Sequence, residues 1–270
     1  MKDAAALSVR EFGAGAEPVL ALHCGLGTSG MWKDVAAGLG DPTVTAPDLP
    51  GHGRSGPFPD GVDVHDAACD AVRPLLDRPM HLVGHSFGAT VALRLAQDTP
   101  GHVLSLTLIE PVFFAAAADG PVKSAHYERE AAHFAGFERG DLMGTAQGFN
   151  SVWGGGAPWE SFPERARQLM ASQMPFVIGT EPSLWRDIHG MLHPDRMARL
   201  SMPVSLVRGG DSVPIIAEIH HGLLSRLPHG REAVIPGAGH MLVMTHADDV
   251  ARQICVTMVE AKARSAVTPR

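Results

Sequence analysis

Short apolar runs alternate with glycine- and proline-rich turns and with stretches of helical spacing through the first 110 residues. Leu7 to Phe12 reads as a weak strand. Val19 to His23 (VLALH) is a compact apolar run that stops at a glycine cluster. Thr43 to Ala46 leads into Pro47, Asp48 and the turn PGHGRSG. Val64 to Leu76 carries apolar positions at helical spacing, Met80 to Gly84 is a short strand, and Phe87 to Gln97 is rich in helix formers and stopped by Pro100. Val103 to Ile109 (VLSLTLI) is another strand. Uninterrupted apolar strands separated by helices predict a parallel sheet covered on both faces, because parallel neighbours need crossover connections. The expected architecture is an open α/β sheet three layers deep.

The pattern then changes. From Val112 to Leu200 few runs look like strands. Helical stretches are expected near 122–138, 140–149, 160–173 and 182–192, with aromatic residues scattered through them. The α/β rhythm returns with a strand at Val204 to Arg208, a helix at Ile215 to Leu227, a strand at Glu232 to Ile235 and a helix at His246 to Ala263. A helical insertion between two sheet-forming blocks follows.

Composition narrows the function. The 270 residues are 45% hydrophobic and 19% charged, the mix of a folded globular protein. A net charge of −7 disfavours a nucleic-acid partner, which calls for a basic face. No segment approaches 18 uncharged apolar residues, so no membrane span is expected. Cys24, Cys69 and Cys255 form no paired framework and no zinc ribbon. Together with an N-terminus lacking a secretory pattern, they suggest a cytoplasmic home. Nothing in the pattern speaks to oligomeric state.

The chemistry concentrates at strand ends. Gly84-His85-Ser86-Phe87-Gly88 is a G-x-S-x-G pentapeptide between a strand and a helix. In that setting the serine sits on a sharp turn that exposes its hydroxyl, and the N–H of Phe87 starts the helix where negative charge is welcome. A serine nucleophile needs a base and the base an orienting acid. Asp211 in RGGDS and His240 in PGAGHM follow later strands, in the chain order Ser86, Asp211, His240. Glu110, directly after strand 103–109, is the alternative acid, although a buried hydrogen-bonding role suits it better on position alone. A backbone N–H from Gly25, or failing that Leu26, would complete an oxyanion hole with Phe87.

The motifs LHCGLGTSGMW, PDLPGHGRSG, VGHSFGA, RGGDS and PGAGHM, in that order, resemble those of the α/β-hydrolase superfamily, in its capped serine hydrolase branch of carboxylesterases, carbon–carbon bond hydrolases and cofactor-free haloperoxidases. The resemblance covers nearly the whole chain. It implies a mostly parallel sheet with helices on both faces, with a helical cap inserted after the sixth strand. The core would then be residues 1–111 and 201–270 and the cap residues 112–200. It also implies a Ser86–His240–Asp211 triad that cleaves an ester, or a related acyl bond, of a small and partly apolar substrate without metal or cofactor. A carbon–carbon bond hydrolase, a perhydrolase or haloperoxidase, and a low-turnover ligand receptor on the same fold are the alternatives.

Cys24 stands where relatives often carry glycine, and is expected to pack as a small residue. The resemblance implies that Asp48 and Arg54 are buried and hold loops together in a structural turn, while His189 and His193, four apart with Pro194 following, are expected to be surface histidines rather than metal ligands. Phe87, Phe113, Trp153, Trp159, Trp185 and Met241 are the candidate pocket walls.

Overall fold

The computed structural model describes residues 7–267. Its seven strands are β1 (Val9–Phe12), β2 (Pro18–Leu22), β3 (Thr43–Pro47), β4 (Met80–His85), β5 (Val103–Ile109), β6 (Val204–Gly209) and β7 (Gly230–Ile235). They form one sheet in the order β1-β3-β2-β4-β5-β6-β7. Only β1 runs antiparallel to its neighbour, and the other pairings are parallel.

The alternation of side chains along each strand explains why both faces are covered. Leu20 and Leu22 of β2, Leu82 of β4, Leu106 and Leu108 of β5 and Leu206 of β6 face one apolar layer. Val19, Ala21, Val83, Ile109 and Val207 face the other. Helices α2 (Val64–Val72), α3 (Phe87–Asp98) and α10 (Pro214–Leu224) cover the first layer. Helices α1 (Lys33–Leu39) and α12 (Ala247–Val267) cover the second.

Between β5 and β6 the chain is helical: α4 (Pro121–Glu138), α5 (Leu142–Trp153), α6 (Glu164–Ser172), α7 (Met174–Gly179), α8 (Glu181–Arg186) and α9 (Pro194–Met197). In this sheet the insertion follows the fifth strand in chain order, not the sixth. Packing does not break at 112 and 200. Phe113, Phe114, Ala116, Met191, Met197 and Leu200 belong to the main apolar cluster, and the insertion's separate cluster centres on Ala146, Trp159, Ala171 and Met174.

The helix expected over 182–192 ends at Arg186. Asp187 takes a left-handed backbone (φ 48°), and its carboxylate accepts the N–H groups of Met191 and Leu192 at 2.7 and 3.0 Å. A side chain that caps a turn competes with helical pairing. Helix α11 (Leu242–Thr245) follows the loop after β7. Among the described residues, no helix is long and apolar enough to cross a membrane.

Candidate active site

Strand β4 ends at His85, and Ser86 turns the chain into α3 with φ 55° and ψ −117°. A residue with a Cβ avoids that region, at a cost of about 1–3 kcal/mol. The surroundings enforce it. Ser86 N–H donates to Ile109 O at 2.8 Å, and Ala89 N–H donates to Ser86 O at 3.0 Å. A Cβ on Gly84 would collide with the backbone at Gly88 and Ala89, and one on Gly88 with the carbonyls of Leu22 and His23, so both flanking positions require glycine. The turn brings the Phe87 N–H to the positive end of a 12-residue helix.

Strand register supplies the partner of this turn. His85 of β4 pairs with Ile109 of β5, so Ser86 and Glu110 leave adjacent strands at the same level. Glu110 is also left-handed (φ 49°), held by its N–H to Val207 O at 2.8 Å. Its side chain is fully buried. His240 arrives from the loop after β7 and closes the arrangement. Ser86 Oγ lies 3.1 Å from His240 Nε2, and His240 Nδ1 lies 2.9 Å from Glu110 Oε2. Glu110 further accepts the Gly209 N–H at 2.7 Å and the Ser212 hydroxyl. Burial pushes the Glu110 pKa up. The bonds and charge of His240, with those of Ser212 and Gly209, outweigh it, and the carboxyl is held below its ordinary range.

Asp211, the acid expected from the RGGDS motif, is not brought to His240. It is exposed, and its backbone N–H donates to Ala238 O at 2.9 Å. The physical reason lies two residues earlier. Gly209, the last residue of β6, gives its N–H to Glu110, which fills the space beside the imidazole before Asp211 is reached. Ser212, the residue after it, is the one that turns inward.

His240 is itself positioned from behind. His85 Nε2–H donates to the His240 carbonyl at 2.9 Å, with the two rings 5.1 Å apart. Burial, then the proximity of His240, lowers the His85 pKa to about 3, so this neighbour stays neutral.

On the oxyanion side, Cys24–Gly27 form a turn closed by Gly27 N–H to Cys24 O at 3.1 Å, with Leu26 left-handed at φ 61°. The Leu26 N–H is taken by His52 Nε2 at 3.1 Å. No hydrogen bond engages the Gly25 or Phe87 N–H among the described residues. Cys24 is buried, and burial raises its thiol to about 12, which makes it an inert packing residue.

The expected pocket walls divide. Trp153 packs on His240, ring centroids 4.6 Å apart at 61°. Its indole N–H donates to Glu130 at 3.3 Å, and the Trp185 indole donates to the same carboxylate at 3.2 Å. Trp185 otherwise stacks on Phe114 at 4.5 Å. Phe113 is fully buried in the main core, and Trp159 packs within the insertion against Phe162. Met241 lies beside Gly155.

Phe176, Phe58 and Glu130 were not anticipated. Phe176 of α7 meets Phe87 at 5.0 Å, His52 at 4.7 Å and Phe58 at 5.2 Å, and covers Gly25. No sequence motif surrounds these three residues, and only packing reveals them.

Two other expectations resolve structurally. Asp48 is buried and accepts the N–H groups of Ser29 and Arg54 at 2.7 and 3.0 Å, but the Arg54 side chain is exposed rather than buried. His189 is not a free surface histidine. It bridges the insertion to α2 through Asp63 at 3.1 Å, and Asp63 also caps α2 and takes the Ser183 hydroxyl. Asp63, Asp66 and His189 are close enough for a metal ion, but Arg94 already engages Asp66. His193 is exposed and caps α9.

The family model for the alpha/beta hydrolase family matches residues 19–253. The chain belongs to that family. A curated relative, the pimeloyl-[acyl-carrier protein] methyl ester esterase of Methylococcus capsulatus, is 30% identical over 264 residues, spanning 92% of this chain and 96% of the relative. Two other curated relatives match locally at 40% and 39% identity, and the chain spans 30% and 44% of their lengths. Among solved structures, a thermophilic esterase from Thermogutta terrifontis superposes with a TM-score of 0.69 at 23% identity, covering 95% of this chain and 94% of that one. A bromoperoxidase from Bacillus anthracis superposes with a TM-score of 0.72 at 15% identity, covering 94% and 96%. At those identities the likeness to the solved structures shows the fold alone.

Proposed function

We propose that the protein is a serine hydrolase that cleaves an ester bond of a small, partly apolar substrate, with Ser86 as nucleophile, His240 as general base and Glu110 as the orienting acid. The observation that carries this is the unbroken chain from Ser86 Oγ through both nitrogens of His240 to a buried carboxylate, at 3.1 and 2.9 Å. The name of the Methylococcus capsulatus relative, a methyl ester esterase, supports the choice of bond.

The Glu110 carboxylate accepts the Nδ1 proton of His240, which leaves Nε2 as the acceptor facing Ser86. As Ser86 Oγ attacks the ester carbonyl carbon, its proton passes to Nε2. The imidazolium formed is stabilised by Glu110. The carbonyl oxygen becomes an oxyanion held by the N–H groups of Phe87 and Gly25, two donors that no acceptor among the described residues engages. Collapse of the tetrahedral intermediate breaks the bond to the alkoxy group, which leaves with the proton from His240. Water then attacks the acyl-enzyme, giving its proton to His240, and the acid departs as Ser86 is reprotonated.

The helical insertion acts as a cap. Ser86 and His240 are 7% and 5% exposed beneath it, so a substrate enters by displacing cap residues such as Trp153 and Phe176. Trp153, which packs on His240, also walls a small hollow with Glu130, Phe134, Thr145, Phe149, Val152, Met174 and Val177, too small for an acyl or alcohol chain until the cap residues move.

Steady-state hydrolysis of short-chain p-nitrophenyl esters tests the proposal. Ser86→Ala is expected to lower kcat by about 10⁴–10⁶. Turnover within tenfold of wild type would overturn it.

A further inference from the structure

The loops after β2 and β3 each hold the other through a histidine. His23, on the first loop, accepts the N–H of Leu49 on the second at 2.8 Å through Nε2. His52, on the second loop, accepts the N–H of Leu26 on the first at 3.1 Å, also through Nε2. Each ring spends its other nitrogen within its own loop, His23 Nδ1–H on Cys24 O at 2.7 Å and His52 Nδ1–H on Pro50 O at 2.9 Å. The ring centroids are 5.1 Å apart. A backbone N–H only donates, so both Nε2 atoms must be bare and both rings neutral. Burial favours this state, lowering His52 and taking His23 down to about 3.

The bond to Leu26 has mechanical content. Leu26 is third in the turn Cys24–Gly27 and takes φ 61°, as a type II turn demands of that position. Glycine adopts this readily, whereas a leucine costs about 1–2 kcal/mol. The strained state persists only if the surroundings over-determine it. His52 supplies that constraint at the central peptide of the turn. The rings of Phe176 and Phe58 wall His52 off from water.

We propose that His52 is a positioning residue for the oxyanion hole: by taking up the Leu26 N–H it fixes the Cys24–Gly27 turn so that the Gly25 N–H is kept for the substrate's developing oxyanion. This rests on the ester-hydrolase reading of the site. His52 touches no reacting atom and acts only through the backbone it holds.

Four proteins are compared on p-nitrophenyl butyrate: wild type, His52→Leu, His52→Gln and Ser86→Ala. An alkyl trifluoromethyl ketone serves as the probe of the tetrahedral state, and thermal melts report folding. Loss of one oxyanion donor typically costs about 10²–10³ in rate, and a displaced donor somewhat less. His52→Leu is therefore expected to lower kcat by about 10–100-fold, with KM within about threefold, and to weaken the ketone by the same factor as kcat/KM. In His52→Gln the amide oxygen stands near the Nε2 position and accepts from Leu26, so activity returns to within about threefold of wild type. If the leucine variant does not fold, His52→Asn, too short to reach Leu26, is expected to show the same loss.

Wild-type kcat in His52→Leu or His52→Asn, a loss confined to KM, or a glutamine variant as impaired as the leucine variant would each overturn the role of His52. Turnover surviving Ser86→Ala would instead overturn the hydrolase reading beneath it.

Discussion

Two neighbouring strand ends carry a carboxylate each, and they differ in every physical respect except sequence plausibility. After β5 stands Glu110, fully buried, left-handed, and hydrogen-bonded to His240, Gly209 and Ser212. After β6 stands Asp211, exposed, with its backbone rather than its side chain tied to the loop that carries the histidine. A carboxylate orients an imidazole only where water does not compete and where its remaining lone pairs are satisfied. The β5 end offers both conditions, and the β6 end offers neither. A motif nominates an acid, and enclosure decides between nominees.

The strongest attack on this contrast is Glu110→Gln. It preserves shape but removes the charge that holds the imidazole and stabilises its protonated form. An expected loss of about 10³–10⁴ in kcat, read on p-nitrophenyl esters, supports the contrast. A loss of that size in Asp211→Asn with little loss in Glu110→Gln would invert it.

Acid unfolding sharpens the same point about enclosure. His23, His65 and His85 are buried and neutral, each with its pKa lowered to about 3, by burial first, against an unfolded value near 6.5. Below pH 6.5 the unfolded chain takes up protons that the folded one refuses. Their contribution is thus fully present above pH 6.5 and is lost as pH falls toward 3. All three shifts act in the same direction, so stability declines as pH falls through that window. Denaturant melts between pH 7 and pH 4 should show it, and a flat profile would refute buried neutral histidines.

A smaller effect is expected from Ser212→Ala. It removes one donor to a buried charge, worth about tenfold in kcat, or roughly 1.5 kcal/mol. The smallest is Asp211→Asn itself, where an exposed carboxylate that supports no catalytic group should leave kcat/KM within about twofold of wild type.

Strained backbone points to the same place as the hydrogen bonds. Four non-glycine residues among those described have positive φ, and three of them, Leu26, Ser86 and Glu110, surround the proposed reaction centre. The fourth, Asp187, ends α8 and starts the turn that carries His189 to its contact with α2. Outliers of this kind survive where neighbouring bonds over-determine them, which is also what positions catalytic groups.

Apolar runs were enough to read the parallel sheet from the chain alone, and the G-x-S-x-G and PGAGHM motifs at strand ends to mark the serine turn and the histidine loop. Each of those depends on local rules: strand period, glycine at crowded turns, and helix formers after a sharp bend. Tertiary structure decided the rest. Glu110 rather than Asp211 meets His240 because β4 and β5 end in register, a relation between strands that neither strand encodes by itself. His52 reaches Leu26 and Phe176 reaches Gly25 across 26 and more than a hundred residues of chain, through a packing order that no local pattern records. Local sequence sets what each segment can do, but partners distant in the chain become neighbours only when the whole core closes.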